Sequence, residues 1–343
     1  MGIIDTLSAG FGLVARRPLL LVVPIALDLL LWIGPHLSVE PLLNRLLDRY
    51  EVLVAEVRMP DEETSGQFLQ GWQAGREVLA GAGRVNLLSL LSSPIPQGVS
   101  TTTERFLGSP VPFMVVAAPL PSLLAYAAAG ELGQFVEPPV AAMESAALLI
   151  ALWPVLAVLS LAAASAYRTA VAQSLVLPGS AARSIARDIG RGWLRLAGLF
   201  GLSLLFLLFV VLPLAVVGAL LFVVHPALGT LVLLFVSVIP FWMRLYFYFC
   251  DGAIFVSQVG LWTALRRSYL LVRRNLWASL ALVGLIHFIL YGTSLVWRAF
   301  QAHPMGVMAG IFGNAYVATG LVLSSYIFYQ ERVSALEAAP KKV

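Results

Sequence analysis

The sequence predicts an all-α fold, a polytopic transmembrane helical bundle of about six spans. Three observations predict it. Of the 343 residues, 59% are hydrophobic and only 12% charged. The mean hydropathy is +0.88, more apolar surface than one soluble core of this length could hide. The apolar runs are continuous and approach the roughly 20 residues that a helix needs to cross hydrocarbon, whereas barrel strands would alternate over about ten. Backbone polar groups in lipid must be satisfied within the segment, so continuous runs read as helices.

In chain order, spans are expected over Pro18 to Gly34, Val140 to Tyr167, Leu194 to Val224, Ala227 to Phe249, Leu276 to Phe300 and Gly306 to Tyr329. Arg16 and Arg17 precede the first run, and no small-residue cleavage pattern follows it, so it reads as an uncleaved span rather than a secretory signal. Residues 1–36 form the first unit, with the amino terminus and span one. Residues 37–139 form a long extracytoplasmic segment, 140–329 a five-span bundle and 330–343 a cytoplasmic tail. Within the long segment, Leu42, Leu46, Leu53 and Val57 recur near helical spacing and predict an amphipathic helix outside the membrane. Pro112, Pro119 and Pro121 interrupt the apolar stretch at 113–129, which reads as re-entrant or surface-lying rather than as a seventh span. "VHPALG" and "QAHP" are tight turns between successive spans.

Charge orients the chain. Of the 22 Lys and Arg, about fifteen fall on the side carrying the amino terminus, mostly near span ends, and the positive-inside rule then places both termini in the cytoplasm. A cell membrane, in a prokaryote the inner one, is the expected location. The net charge of +4 is accounted for by these flanking arginines, so no nucleic-acid partner is expected. Cys250 is the single cysteine, which excludes an intramolecular disulfide framework and a CxxC metal site.

An internal repeat is expected over about 168–213 and 252–297. Aligning Ser184 with Ser268 pairs Arg183 with Arg267, Trp193 with Trp277, Leu196 with Leu280 and Ala197 with Ala281. In the first copy Arg183, Arg187, Arg191 and Arg195 recur every fourth residue. Ala181, Ile185, Ile189 and Trp193 recur about 160° around the helix, which predicts a helix lying in the interface. In the second copy Arg266, Arg267, Arg273 and Arg274 take the same place. Each guanidinium near an anionic leaflet is worth on the order of 1 kcal/mol, so anionic headgroups are the expected partner of these arginines.

The segment "GLWTALRRSYLLVRRNLWASLALVGL" resembles prokaryotic multi-span proteins related to the membrane domain of glycerophosphodiester phosphodiesterases. Ala264, Leu265, Ser268, Leu271, Arg273, Asn275 and Trp277 carry the likeness. The resemblance implies a membrane-embedded helical domain and no catalytic residues. The catalytic barrel of such fusions has no counterpart here.

Ionisable residues at membrane depth are functional candidates by default. Here they are Asp28, Glu144, Arg244 and His287, with Asn314 beside the small-residue stripe Gly306, Gly310, Gly313 and Gly320. Asp28 and Glu144 are expected at similar depth, where they would either share a proton or cation or reach out to the interface. His36, His225 and His303 each stand beside a proline at an outer span end, and would bind zinc only if the turns converged. Pro213 and Pro240 are expected to kink the third and fourth spans. No P-loop, HExxH or GxSxG pattern occurs, so neither an enzyme class nor a cofactor is implied. The leading expectation is a non-enzymatic scaffold or accessory factor of a membrane complex or of envelope lipids, self-associating or bound to another membrane protein. A small-solute or lipid transporter and an outward-facing membrane-embedded metal hydrolase are the alternatives.

Overall fold

A computed structural model describes residues 2–56, 73, 76, 86–93, 120–126, 139–175, 185–300 and 303–338. Arg183, most of the stretch 113–129 and most of the long segment 37–139 lie outside the described residues. The fold is an all-α bundle with five helices long and apolar enough to cross a membrane.

The expected first span is built in two pieces. Helix α1 (Ile3–Arg16) ends at Arg17, whose φ of −134° and ψ of 67° leave the helical region. Pro18 follows, and a proline disfavours the helical region for the residue before it. A 3₁₀ turn (Pro18–Leu21) then leads into α2 (Val22–Ile33). The apolar piece Pro18–Ile33 is shorter than the other spans.

After α2 come strand β1 (His36–Ser38), helix α3 (Glu40–Glu56) and strand β2 (Val140–Ala142). The strands pair in parallel with His36 opposite Val140. Two expectations are corrected here. The second span begins at Ala146 rather than Val140, because the preceding residues are held as a strand and Ser145 caps the helix by accepting from the Leu148 N–H. In α3 Leu47 is buried, while Leu46, expected in the apolar stripe, is exposed.

The remaining helices are α4 (Ala146–Gln173), α5 (Ile185–Phe206), α6 (Leu212–Val224), α7 (Pro226–Phe247), α8 (Cys250–Phe255), α9 (Leu261–Arg274), α10 (Leu276–Phe300) and α11 (Pro304–Ala338). Between α5 and α6 the chain makes a π turn (Leu207–Val211) just before Pro213. A proline lacks the N–H and clashes with the carbonyl four residues back, and the wider turn absorbs that defect without ending the span.

Helix α1 runs antiparallel along α11, with Gly10 against Ser324 and Phe11 against Gly320. Further along, Gly310 and Gly313 make room for Trp297 of α10. The glycine stripe of the last span is therefore consumed by packing inside one chain, where small residues let helices approach closely.

Helices α6 and α7 form a hairpin that packs chiefly on itself and touches the bundle through α9 and α10. Its turn is tight. His225 caps α7 by accepting from the Leu228 N–H at 3.4 Å, and a Cβ at Gly229 would collide with the Phe222 backbone.

Candidate functional site

The densest polar cluster surrounds α8, whose six residues are all buried. The chain enters it from α7 over a hydroxyl bridge. Ser268 Oγ of α9 donates to the Tyr246 carbonyl at 2.7 Å and accepts from the Phe249 N–H at 3.2 Å. It leaves through Gln258, whose φ of 53° is left-handed and turns the backbone towards α9.

Arg168 of α4 reaches α8 and pairs through Nη1 with Asp251 Oδ2. The same nitrogen donates to the Tyr326 hydroxyl of α11 at 3.4 Å. Both ions are buried, Arg168 at 2% exposure and Asp251 at 6%. Beside the pair, Tyr167 donates to Thr319 Oγ1 at 3.0 Å and Ser257 meets the Tyr329 hydroxyl at 2.9 Å. Asp251 Oδ1 is buried and makes no hydrogen bond among the described residues.

Helix α5 closes the other side. Gly192 lies against Phe255 and Ser165, and Ser165 Oγ donates to the Ile189 carbonyl at 2.7 Å. The face that α5 buries is Asp188, Gly192, Leu196 and Leu199. Helix α5 runs without a break into the apolar stretch that ends at Phe222, and Ile185, expected on the side sunk into the interface, is exposed. Arg187 and Arg191 are exposed, while Arg195 turns inward to the Ile254 carbonyl at 3.5 Å.

The polar residues expected to mark a pathway occupy separate places. Asp28 is buried and gathers residues 120–126. It accepts from Ser122 Oγ, from the Leu123 N–H at 3.0 Å and from the Leu124 N–H at 3.1 Å. A 3₁₀ turn (Leu124–Tyr126) begins there, so the carboxylate supplies acceptors that a short helical turn lacks at its start. Glu144 lies outside α4, is exposed, and pairs with Arg45 at 3.1 Å. Asp28 and Glu144 thus have separate partners.

Arg244 of α7 donates to His287 Nε2 of α10 at 3.0 Å, while His287 Nδ1 faces the Val283 carbonyl at 2.7 Å. An accepting Nε2 leaves the ring proton on Nδ1. Asn314 is buried on α11.

No group of three His, Cys, Asp or Glu side chains placed to hold a metal ion occurs among the described residues. His36 lies in β1, His225 caps α7 and His303 precedes α11.

On the second arginine-rich segment, α9 buries Ala264, Leu265, Ser268, Leu271 and Val272 against the bundle. Arg266, Arg273 and Arg274 are exposed, and Arg267 pairs with Glu337 of α11 at 3.0 Å.

Sequence reasoning missed Arg168 and Asp251 because it ended the spans at Tyr167 and Phe249. The signal was present. Each residue is followed by further apolar residues, Ala170 and Val171 in one case and Ala253 to Val256 in the other. A lone charge inside an extended apolar run, matched by one of opposite sign in another run, points to a buried pair.

No family model, curated protein or solved structure matches the chain.

Proposed function

We propose that the protein is a non-enzymatic scaffold or accessory factor of a cell membrane. Its arginine-rich end and both termini face the cytoplasm, its arginines meet anionic headgroups, and its lipid-facing flanks meet a second copy or another membrane protein. The observation that carries this reading is the separate use of the polar side chains. Asp28, Glu144, Arg168 and His287 each fasten one element to the next, whereas a transport pathway or catalytic centre needs such groups to converge on one cavity. The likeness of the α9 segment to phosphodiesterase membrane domains favours the same non-catalytic role.

Photo-crosslinking in living cells from Leu220 and Leu231, both exposed on the hairpin, tests it. A discrete adduct from either position is expected, together with proteoliposomes no leakier to protons or small solutes than empty vesicles. Solute flux abolished by Asp28→Asn or His287→Gln would overturn the proposal in favour of transport. Orientation is read separately, on a Cys250→Ala background. Glu144→Cys should react with an impermeant maleimide in intact cells, and Ser334→Cys only after permeabilisation. The reverse pattern would overturn the cytoplasmic assignment.

A further inference from the structure

Where α7 passes α9 the bundle leaves an elongated groove of about 440 Å³, within the range of about 300–1,000 Å³ of small-molecule sites. Phe235, Val238, Trp242, Met243 and Tyr246 line it from α7, and Tyr269 lines it from α9. The α7 positions recur at three- and four-residue steps, so the groove follows one helix face for about three turns. Aromatic rings wall its α9 end, with Trp242 and Tyr246 centred 6.1 Å apart and Tyr246 and Tyr269 5.2 Å apart.

The charge lies at that same end. Arg266 stands three residues before Tyr269 and Arg273 four after it, which puts both on the tyrosine's face of α9. Both are exposed. Trp262 continues the stripe at 75% exposure, and past the break at Asn275 the first turn of α10 presents Trp277 at 79%. A run of Trp, Arg, Tyr and Arg on one face of α9, opposite a face buried in the bundle, is the composition of a helix at headgroup level. Arg267 points elsewhere, to Glu337.

The geometry points to a bound anionic phospholipid, with one acyl chain in the α7 groove and its phosphate between Arg266 and Arg273. A soluble anion leaves the apolar groove unused, and an uncharged chain leaves the two arginines unused. A molecule with a long apolar tail and an anionic head uses both. The inference rests on the reading of this end as lying at an anionic leaflet, and it adds a defined site to that reading.

Native mass spectrometry of the full chain released from nanodiscs of equal phosphatidylglycerol and phosphatidylcholine tests it. One retained phosphatidylglycerol is expected, preferred at least about tenfold, as two arginines near a phosphate would give. Arg266→Gln with Arg273→Gln should bring the preference close to parity. Val238→Trp fills the groove without touching charge and should remove the retained lipid, with circular dichroism and gel-filtration profile unchanged. Retention that survives Val238→Trp, equal retention of both lipids, or displacement by excess inorganic phosphate would each overturn the proposal. Failure of the orientation reading shows as reversed maleimide labelling in cells and leaves the nanodisc result intact, so the two failures are distinguishable.

Discussion

The surroundings of α8 and the α6–α7 hairpin end up as opposites. Around α8, a buried ion pair, several hydroxyl bridges and the bare backbone of Gly192 hold α4, α5, α9 and α11 together. Along the hairpin, Leu220, Phe222, Leu231 and Leu234 stand exposed. In a soluble protein such a surface would signal a partner or aggregation. In lipid it costs little, because hydrocarbon tails are as apolar as leucine and give no hydrophobic drive for helices to associate. Cohesion within the bundle therefore falls to close packing at small residues and to polar contacts such as those around α8.

Substitutions can break or sharpen that contrast. The largest effect is expected at the ion pair. Arg168→Ala leaves Asp251 buried and unpaired, which costs about 3–5 kcal/mol and should abolish a cooperative thermal transition in detergent. Replacing both partners with apolar residues, as Arg168→Met with Asp251→Leu, should recover most of that loss. If the single variant melts like the parent, the end around α8 is not the anchor of the fold.

Next comes Gly192→Ala. The added methyl meets the buried Phe255 ring and Ser165 Oγ, and overpacking of this kind costs about 1–3 kcal/mol, read as a lower melting midpoint. Thr319→Val removes the acceptor of the Tyr167 hydroxyl and should cost about 1 kcal/mol, with Thr319→Ser restoring the parent midpoint. The smallest effect is expected on the hairpin, where Leu220→Ala should change stability by less than about 0.5 kcal/mol while removing a crosslinking position. A large loss there would mean that the hairpin flank is packed against protein in the membrane.

The two arginine-rich segments show how far a pattern in the sequence reaches. Both carry arginines at helical spacing ahead of an apolar run, and one account was expected to serve for both. In α9 the buried face follows the apolar residues, and Asn275 separates this helix from the span that follows. In α5 the buried face is set instead by Gly192 and Asp188, because the glycine admits Phe255 and the helix continues unbroken into the span. Which face is buried depends on which neighbour arrives, and periodicity alone does not carry that information. Asp28 is a similar case. Its depth in an apolar run marked it as unusual, but the N–H groups of Leu123 and Leu124 that receive it lie some ninety-five positions further along the chain.

By itself the sequence determined the helical class of this protein and where its long apolar helices lie, with the ends of Leu276–Phe300 met and most other ends displaced by several residues, because run length and hydropathy are local quantities set by the thickness of a bilayer. It also marked Pro213 as a point of irregularity, where the helix widens to a π turn, whereas α7 runs as one helix through Pro240. Only the tertiary structure decided that Arg168 belongs with Asp251, that the glycines of the last helix are filled by Trp297 and Phe11, and that Asp28 receives the N–H groups of Leu123 and Leu124. Each of these joins residues far apart in the chain. Their energy comes from desolvated charge pairs and close packing, which exist only once the helices have chosen their neighbours.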